Sequence, residues 1–343
     1  MTKAAGQRIV WVDYARAIGI LLVVAGHANR AVERSGLDWS AGAQLADGLI
    51  YSFHMPLFFV LAGFVSGLKR ETRLDAFARQ TFWGIVMPYL VWSAIWIGLK
   101  ASLPGVVNVP IGLDALLSIA WSPVEHFWFL YHLFFIRILW FFVGRAGNQT
   151  VDIAFFAALA VAGIAMKALG IGPEIVSGIF LNGAYYGFGM LVLPLLVAQV
   201  FGRAGVPATA IATVVWLGAA FLAIGGSGLA AVATAALAGS LMTAGLSLLL
   251  PEARGFLLRG FAFLGEASLA IYVMHLPFAA AARVVLQKAG LLNETTLIVF
   301  GTLAGTLLPA LAYYVALRLV PTIGSLPLRL AGLGTATRSR YLA

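Results

Sequence analysis

The sequence predicts an all-α fold, a polytopic bundle of about ten transmembrane helices. Hydrophobic residues make up 62% of the 343 residues and charged residues only 10%, against about 25% charged in a typical soluble domain. The apolar residues form long runs separated by clusters of charge, glycine or proline. Cysteine is absent, which excludes disulfides and any thiol nucleophile.

Ten apolar runs approach the length of about 20 residues that a helix needs to cross a bilayer core of about 30 Å. The predicted spans are 9–29, 46–68, 81–101, 125–143, 151–169, 177–200, 208–225, 229–250, 261–284 and 294–318. With the N-terminus in the cytoplasm, fourteen Lys and Arg residues fall on that side and six on the other, in keeping with the positive-inside rule. Both termini are therefore predicted to be cytoplasmic, with 331–343 as a polar tail. The net charge of +9 is assigned to these loops and not to binding nucleic acid.

Two ionisable side chains share one face of the first predicted span. His27 follows Arg16 by eleven residues, which leaves them about 20° apart around the helix and roughly 16 Å apart along it. Asp13 precedes Arg16 by three residues and is placed to pair with it. Ionisable residues inside a membrane are costly, so each is a candidate for function.

Further polar residues within or beside the spans separate into two groups. The first group comprises His54 and His126, which lie towards the predicted extracytoplasmic half, Glu125 and Trp128 next to His126 in the sequence, and Ser268, Tyr272 and His275, which share one face of the ninth span. The second group consists of arginines further in: Arg70, Arg73, Arg79 and Arg137. Arg137 follows His126 by eleven residues, so the same face is expected for both. Hydrogen bonding between helices is the competing account of each residue taken alone.

This arrangement favours a group transfer. Arginine remains charged and pairs bidentately with phosphate, so the arginines suit a polyanionic donor on the cytoplasmic side. Histidine titrates near neutrality and suits activation of a hydroxyl on the other side. An acylated coenzyme A has the required shape, although the residues alone do not identify the carrier.

Several segments resemble, in order, the membrane acyltransferase-3 family, in the branch of fucose 4-O-acetylases. They are Asp13 with the Arg16-to-His27 spacing, 53–64 (FHMPLFFVLAGF), the basic stretch from Arg79 to Pro88 and Tyr89, 126–130 (HFWFL) and 265–275 (GEASLAIYVMH). Ala62 departs from the serine that is common in the family, which puts any role of that position in doubt. The resemblance covers residues 13 to about 280.

The resemblance implies a single membrane acyltransferase domain over 1–343, in a bacterial cytoplasmic membrane. It would transfer an acyl group, usually acetyl, from cytoplasmic acyl-CoA to a hydroxyl of an extracytoplasmic glycan or lipid-linked sugar. His27 would be catalytic, and Arg16, held by Asp13, would complete the catalytic set by contacting the donor. Arg16, Arg70, Arg73, Arg79 and Arg137 are expected to bind the donor, and the first polar group above to line the acceptor chamber. No metal and no nucleic acid are expected, whereas membrane lipid is.

Several alternatives remain open from the sequence. His27 either deprotonates the acceptor for direct attack or carries the acyl group itself. Acetyl and succinyl are not distinguished, nor are the acceptor and the oligomeric state. A transporter or flippase for a lipid-linked saccharide is the strongest rival, although no repeated halves or broken helices are evident. A non-catalytic scaffold is a third possibility.

Overall fold

Long helices dominate the computed structural model, as the apolar runs predict. The structure describes residues 9–102, 112–145, 147–333, 339 and 341. Its helices are α1 (Val10–Glu33), α2 (Ala41–Tyr51), α3 (His54–Leu68), α4 (Leu74–Thr81), α5 (Met87–Ser102), α6 (Ala115–Ser118), α7 (Trp128–Gly144), α8 (Gln149–Leu169), α9 (Glu174–Leu191), α10 (Leu193–Leu196), α11 (Gly202–Ile224), α12 (Gly228–Leu249), α13 (Phe256–Glu266), α14 (Ser268–Lys288), α15 (Glu294–Ile323) and α16 (Leu326–Leu330). No strand occurs in this part of the chain.

Nine helical segments among the described residues are long and apolar enough to cross a membrane. They are Val10–Glu33, Ala41–Leu68, Leu74–Ser102, Glu125–Gly144, Gln149–Leu169, Glu174–Ile224, Gly228–Leu249, Ser268–Lys288 and Glu294–Thr322. Their number and length confirm the polytopic helical fold. The chain is therefore an integral membrane protein.

Nine segments replace ten predicted spans because two spans are joined. Glu174–Ile224 has 51 residues and contains both 177–200 and 208–225. A loop was expected between them, but the chain stays helical through a π-helical stretch, Val197–Phe201. It then bends at Ala204, whose φ of −139° and ψ of 50° are not helical. The small and apolar residues here thus form a kink instead of a connecting loop.

The chain divides into two compact units. The first unit comprises Met1–Gly19, Gly48–Leu74 and Phe135–Gly265, and the second comprises Ile20–Asp47, Asp75–Phe134 and Glu266–Ala343. Within the first unit α3 packs on α9 and α12, α8 on α9, and α11 on α12. Within the second unit α14 packs on α15 and α5.

Small residues allow the closest approach between helices of the first unit. A Cβ added to Gly63 would lie 1.9 Å from the carbonyl oxygen of Tyr186, and one added to Gly189 would lie 1.9 Å from that of Val60. α3 and α9 therefore touch through backbone, as membrane helices with small residues at their interface do.

The predicted tail, 331–343, lies mostly outside the described residues. Its described part packs against the second unit. The indole of Trp92 donates to the carbonyl of Ala331 at 2.7 Å, and the hydroxyl of Ser339 donates to Glu266 at 2.8 Å.

Candidate active site

Three imidazoles meet within the second unit. The ring of His27 on α1 lies 5.0 Å from that of His275 on α14 and 6.1 Å from that of His126, measured between centroids. The rings of His126 and His275 are 5.1 Å apart. We call His27, His126 and His275 the histidine cluster. It joins three sequence segments that were predicted to share a site.

Burial differs among the three members. His126 and His275 are 5% and 0% exposed, whereas His27 is partly exposed. A molecule that approaches from outside the cluster therefore meets His27 more readily than the other two.

The buried ring nitrogens retain capacity for hydrogen bonding. The Nδ1 of His275 lies 2.7 Å from the carbonyl oxygen of Tyr272. Because a carbonyl only accepts, Nδ1 carries the hydrogen and Nε2 of the neutral ring is an acceptor. This Nε2 and both ring nitrogens of His126 are buried without a hydrogen-bond partner among the described residues. Buried polar atoms usually have partners. These nitrogens can therefore form hydrogen bonds with a hydroxyl or another polar group that enters the cluster.

Glycines on α15 allow the helices that carry His27 and His275 to approach. A Cβ on Gly305 would lie 2.8 Å from Val24 on α1 and 3.2 Å from the carbonyl oxygen of His275 on α14. Gly301, one turn earlier, faces Ala28 in the same way, at 3.3 Å. α15 thus packs closely on both α1 and α14. A larger side chain at either glycine would push α15 away from these helices.

His126 lies in a 3₁₀ turn, Glu125–Phe127, and not in the following α-helix. The eleven-residue offset that placed His126 and Arg137 on one helix face counted α-helical steps from within this turn, so the angular argument does not hold. The turn begins at Glu125, whose φ of 44° is positive. Non-glycine residues rarely adopt this conformation, and it is often found at functional sites.

Side chains from two other helices hold this turn. Lys100 on α5 forms an ion pair with Oε1 of Glu125, and the indole of Trp96 donates to Oε2 at 3.1 Å. The hydroxyl of Tyr272 on α14 donates to the carbonyl of His126. The backbone of Glu125 and His126 is therefore fixed from both sides.

The remaining residues predicted to line the acceptor chamber occupy separate positions. Ser268 begins α14, one turn before Tyr272, and is partly exposed. Trp128 packs its ring 5.2 Å from that of His132. His54 belongs to the first unit, where its Nδ1 bonds the carbonyl of Ile50 at 2.8 Å and its ring lies 4.6 Å from Tyr51.

Asp13 and Arg16 form the predicted ion pair in the first unit, with 3.7 Å between Oδ1 and Nη1. Asp13 is 1% exposed. Gly265 approaches it so closely that an added Cβ would lie 1.8 Å from the carbonyl oxygen of Asp13. The glycine that opens the motif 265–275 is therefore explained by backbone contact with the first motif.

A cavity of about 300 Å³ in the first unit is lined by Arg70 and Trp140, with Asp152, Gln149 and apolar residues of α9 and α10. Among the described residues, the guanidinium of Arg70 makes its hydrogen bonds through Nη2 alone, to both oxygens of Asp152 at 3.0 Å and to the carbonyl of Gly144. The indole nitrogen of Trp140 is buried and has no hydrogen-bond partner among these residues. We call this cavity the Arg70 pocket.

The other arginines predicted to bind the donor do not line this cavity. Arg73 in the first unit and Arg79 in the second are exposed. Arg137 is partly buried on α7. Of the predicted donor residues, only Arg70 lines the Arg70 pocket.

Sequence reasoning missed Lys100 and Trp96. Lys100 was counted only among the six basic residues on the extracytoplasmic side, but it is 4% exposed in the last turn of α5. The available signal was a lysine inside an apolar run together with a glutamate directly before His126. Trp140 and Asp152 were missed because nothing local marks them as partners of Arg70.

No group of three or more His, Asp and Glu residues in the described part of the chain is arranged to hold a metal ion. The histidine cluster contains no carboxylate among its three members. Its imidazoles are suited to acid–base or covalent chemistry.

Comparisons with known proteins agree with this architecture. Residues 9–315 match the profile of the acyltransferase-3 family, which is described as an acyltransferase domain. The chain is 26% identical over 154 residues to the nodulation protein NolL of Mesorhizobium japonicum, an alignment that covers 44% of this chain and 40% of that protein. No solved structure matches with significance. The chain belongs to the acyltransferase-3 family and is an integral membrane protein.

Proposed function

We propose that the protein transfers an acyl group, acetyl in the simplest case, from acyl-CoA to a hydroxyl of a glycan or a lipid-linked sugar. The observation that carries this proposal is the histidine cluster, where buried imidazole nitrogens without partners among the described residues lie close to a partly exposed His27. An acyl transfer to a hydroxyl needs a base near neutral pH, and imidazole supplies one. Family membership supports acyl transfer as the reaction in which this base acts.

In the direct mechanism, Nε2 or Nδ1 of His27 takes the proton of the acceptor hydroxyl. The oxygen attacks the thioester carbonyl, the C–S bond breaks, and the CoA thiolate takes up a proton, so that an ester and free CoA result. In the covalent alternative, the His27 nitrogen attacks the thioester first, the C–S bond breaks, and CoA leaves as the thiol with the imidazole proton. The acceptor hydroxyl then attacks the acyl-imidazole, the C–N bond breaks, and the hydroxyl proton returns to the imidazole. Both routes use the same residue and give the same products.

The Arg70 pocket supports a donor that carries phosphate. The Nη1 and Nε groups of Arg70 and the indole N–H of Trp140 are donors without partners among the described residues, and phosphate oxygens accept such donors. A cavity of about 300 Å³ is at the lower end of the size of small-molecule sites, about 300–1,000 Å³. We therefore assign donor binding first to Arg70. Arg16, Arg73, Arg79 and Arg137 remain candidates for further donor contacts, with the donor on the cytoplasmic side.

The acceptor is proposed to lie on the other side of a bacterial cytoplasmic membrane. Glu125, His126, Trp128, Ser268, Tyr272 and His275 are proposed to line its site within the second unit. Hydroxyl-rich groups such as sugars suit a site with several hydrogen-bond acceptors and aromatic rings.

The test uses membrane vesicles from cells that express the wild-type protein or His27→Ala. Vesicles are supplied with acetyl-CoA labelled in the acetyl group, and the glycan and lipid fractions are analysed by mass spectrometry. We expect an acyl-sized mass increase on a saccharide and stoichiometric release of CoA with wild-type protein only.

Two controls separate the alternatives. Equal amounts of folded, membrane-inserted wild-type and variant protein show that a loss of label reflects chemistry. Movement of a lipid-linked saccharide across the vesicle membrane without any label transfer would favour the flippase and contradict the proposal. Full labelling by His27→Ala would contradict the role of His27 in both mechanisms.

A further inference from the structure

We propose that Lys100 and Trp96 are positioning residues of the active site, which hold Glu125 in a left-handed conformation and thereby keep the ring of His126 in the histidine cluster. This inference rests on the proposed acyl transfer. It assigns a role to two residues of α5 that lie outside every motif of the sequence.

The first step concerns the backbone. Among the described non-glycine residues, Glu125 alone has a positive φ. A left-handed conformation brings Cβ of an ordinary residue too close to a carbonyl oxygen, so it persists only where surrounding contacts hold it. Because His126 follows directly, the conformation of Glu125 sets the direction in which the imidazole of His126 points.

The second step concerns the carboxylate of Glu125. Its two oxygens are divided between Lys100 and the indole of Trp96. The ammonium of Lys100 also lies 5.6 Å from the centre of the Trp96 ring, within the range of cation–π attraction. The side chain of Lys100 is 5% exposed and that of Glu125 is 31% exposed. Loss of the carboxylate would leave the buried ammonium of Lys100 without a counter-charge, which is costly. The ion pair therefore holds the Glu125 side chain against α5.

The third step concerns His126 itself. Tyr272 fixes the His126 carbonyl, and the Trp96 ring lies 6.3 Å from the imidazole. Among the described residues, neither ring nitrogen of His126 has a hydrogen bond of ordinary geometry. The imidazole is thus directed mainly by its backbone and by ring packing. If Glu125 were released, the turn would relax and His126 would rotate away from His275 and His27.

A purely structural ion pair would lower stability without altering the reaction of the folded molecules. Positioning instead lowers kcat per folded molecule, leaves the KM for acyl-CoA unchanged, and is restored by variants that restore the attachment.

The experiment compares Lys100→Met, Lys100→Arg and the charge exchange Lys100→Glu with Glu125→Lys in proteoliposomes. We expect Lys100→Met to lower kcat about tenfold to a hundredfold, the scale of a misplaced catalytic group. Lys100→Arg should keep most of kcat, and the exchange should exceed either single variant at least about fivefold, the scale of coupling between contacting residues. Glu125→Gly, which tolerates a positive φ but lacks the carboxylate, should resemble Lys100→Met.

Lys167→Met is the matched control. Lys167 also lies in the last turn of a long apolar helix and pairs with a glutamate, Glu174, at 3.4 Å, but the pair is exposed. This variant should leave kcat unchanged.

A second measurement does not depend on turnover. Imidazole resonances of histidine-labelled protein, with His126 assigned by His126→Asn, should shift in Lys100→Met and in Glu125→Gly but not in Lys167→Met. Unchanged His126 resonances, an unchanged kcat per folded molecule, or an exchange no better than the single variants would overturn the inference. A wild-type protein without acyl transfer would overturn the proposed function, and the His126 resonances would still decide whether Lys100 positions this ring.

Discussion

The histidine cluster and the Arg70 pocket use buried polar groups in opposite ways. The charge of Arg70 is compensated by Asp152, and the cavity beside it is open to a ligand of modest size. The cluster has no carboxylate among its three members, and its buried ring nitrogens have no hydrogen-bond partner in the part of the chain that the structure describes. Compensated charge beside a cavity suits the binding of an ionic substrate, whereas uncompensated neutral bases suit proton transfer. We therefore expect substitutions in the Arg70 pocket to change mainly the KM for acyl-CoA and substitutions in the histidine cluster to change mainly kcat.

The largest effect is expected at His27. His27→Ala should lower kcat about 10²- to 10⁴-fold, since a general base contributes on that scale. His132→Phe is the control, because His132 is also buried in the second unit but packs on Trp128 outside the cluster. Turnover per folded molecule is measured in proteoliposomes. If both variants lost activity equally, the cluster would have no special role.

A smaller effect on turnover, accompanied by lost stability, is expected at Gly305. Gly305→Ala places a Cβ 2.8 Å from Val24, so α15 must shift away from α1 and α14, with a cost of about 1–3 kcal/mol for overpacking. Gly218→Ala is the matched control on α11, where an added Cβ meets nothing within 4 Å. It should stabilise the helix by about 0.5–1 kcal/mol. Unfolding in detergent measures both, and a stabilising Gly305→Ala would contradict the packing described for α15.

Substitutions in the Arg70 pocket should raise the KM for acyl-CoA. Arg70→Lys removes the planar fork, and Trp140→Phe removes the indole N–H but keeps an aromatic ring. Each should raise the KM for acyl-CoA about threefold to tenfold, the value of one hydrogen bond of about 1 kcal/mol. Arg254→Lys, in an exposed pair with Glu252, serves as the control and should leave the KM unchanged. A fall in kcat with an unchanged KM would instead place Arg70 in the chemistry.

The smallest effect is expected at Asn148, which caps α8 through a hydrogen bond to the amide of Thr150 at 2.8 Å. Asn148→Ala should cost about 0.5–2 kcal/mol of stability. The change lies close in sequence to Gln149 and Asp152 of the Arg70 pocket, so it shows whether the KM responds to loss of stability alone. An increased KM in this variant would weaken the interpretation of Arg70→Lys.

Hydropathy predicted the fold well because the bilayer imposes both the length and the composition of a spanning helix. The same argument erred between 200 and 208, where composition does not distinguish a loop from a helix that bends at Ala204. It also started the ninth span at 261, although the structure ends α13 at Glu266 and begins α14 at Ser268.

The candidate site was predictable only where residues fell into ordered motifs. His27, His126, Tyr272 and His275 meet as expected. The 3₁₀ turn at Glu125 was not foreseen, because a positive φ on glutamate has no signature in composition or periodicity. Lys100 was missed for a related reason, since its partner is distant in sequence and becomes visible only when α5 packs beside the turn.

The unequal exposure of the three imidazoles has a consequence for inhibitor design. A small electrophile that enters the second unit reaches the partly exposed His27 before the buried His126 and His275. Because the chain contains no cysteine, no thiol competes for such a reagent. An acyl-transfer reagent carried on a CoA-like or sugar-like scaffold would therefore modify one imidazole selectively and report its occupancy.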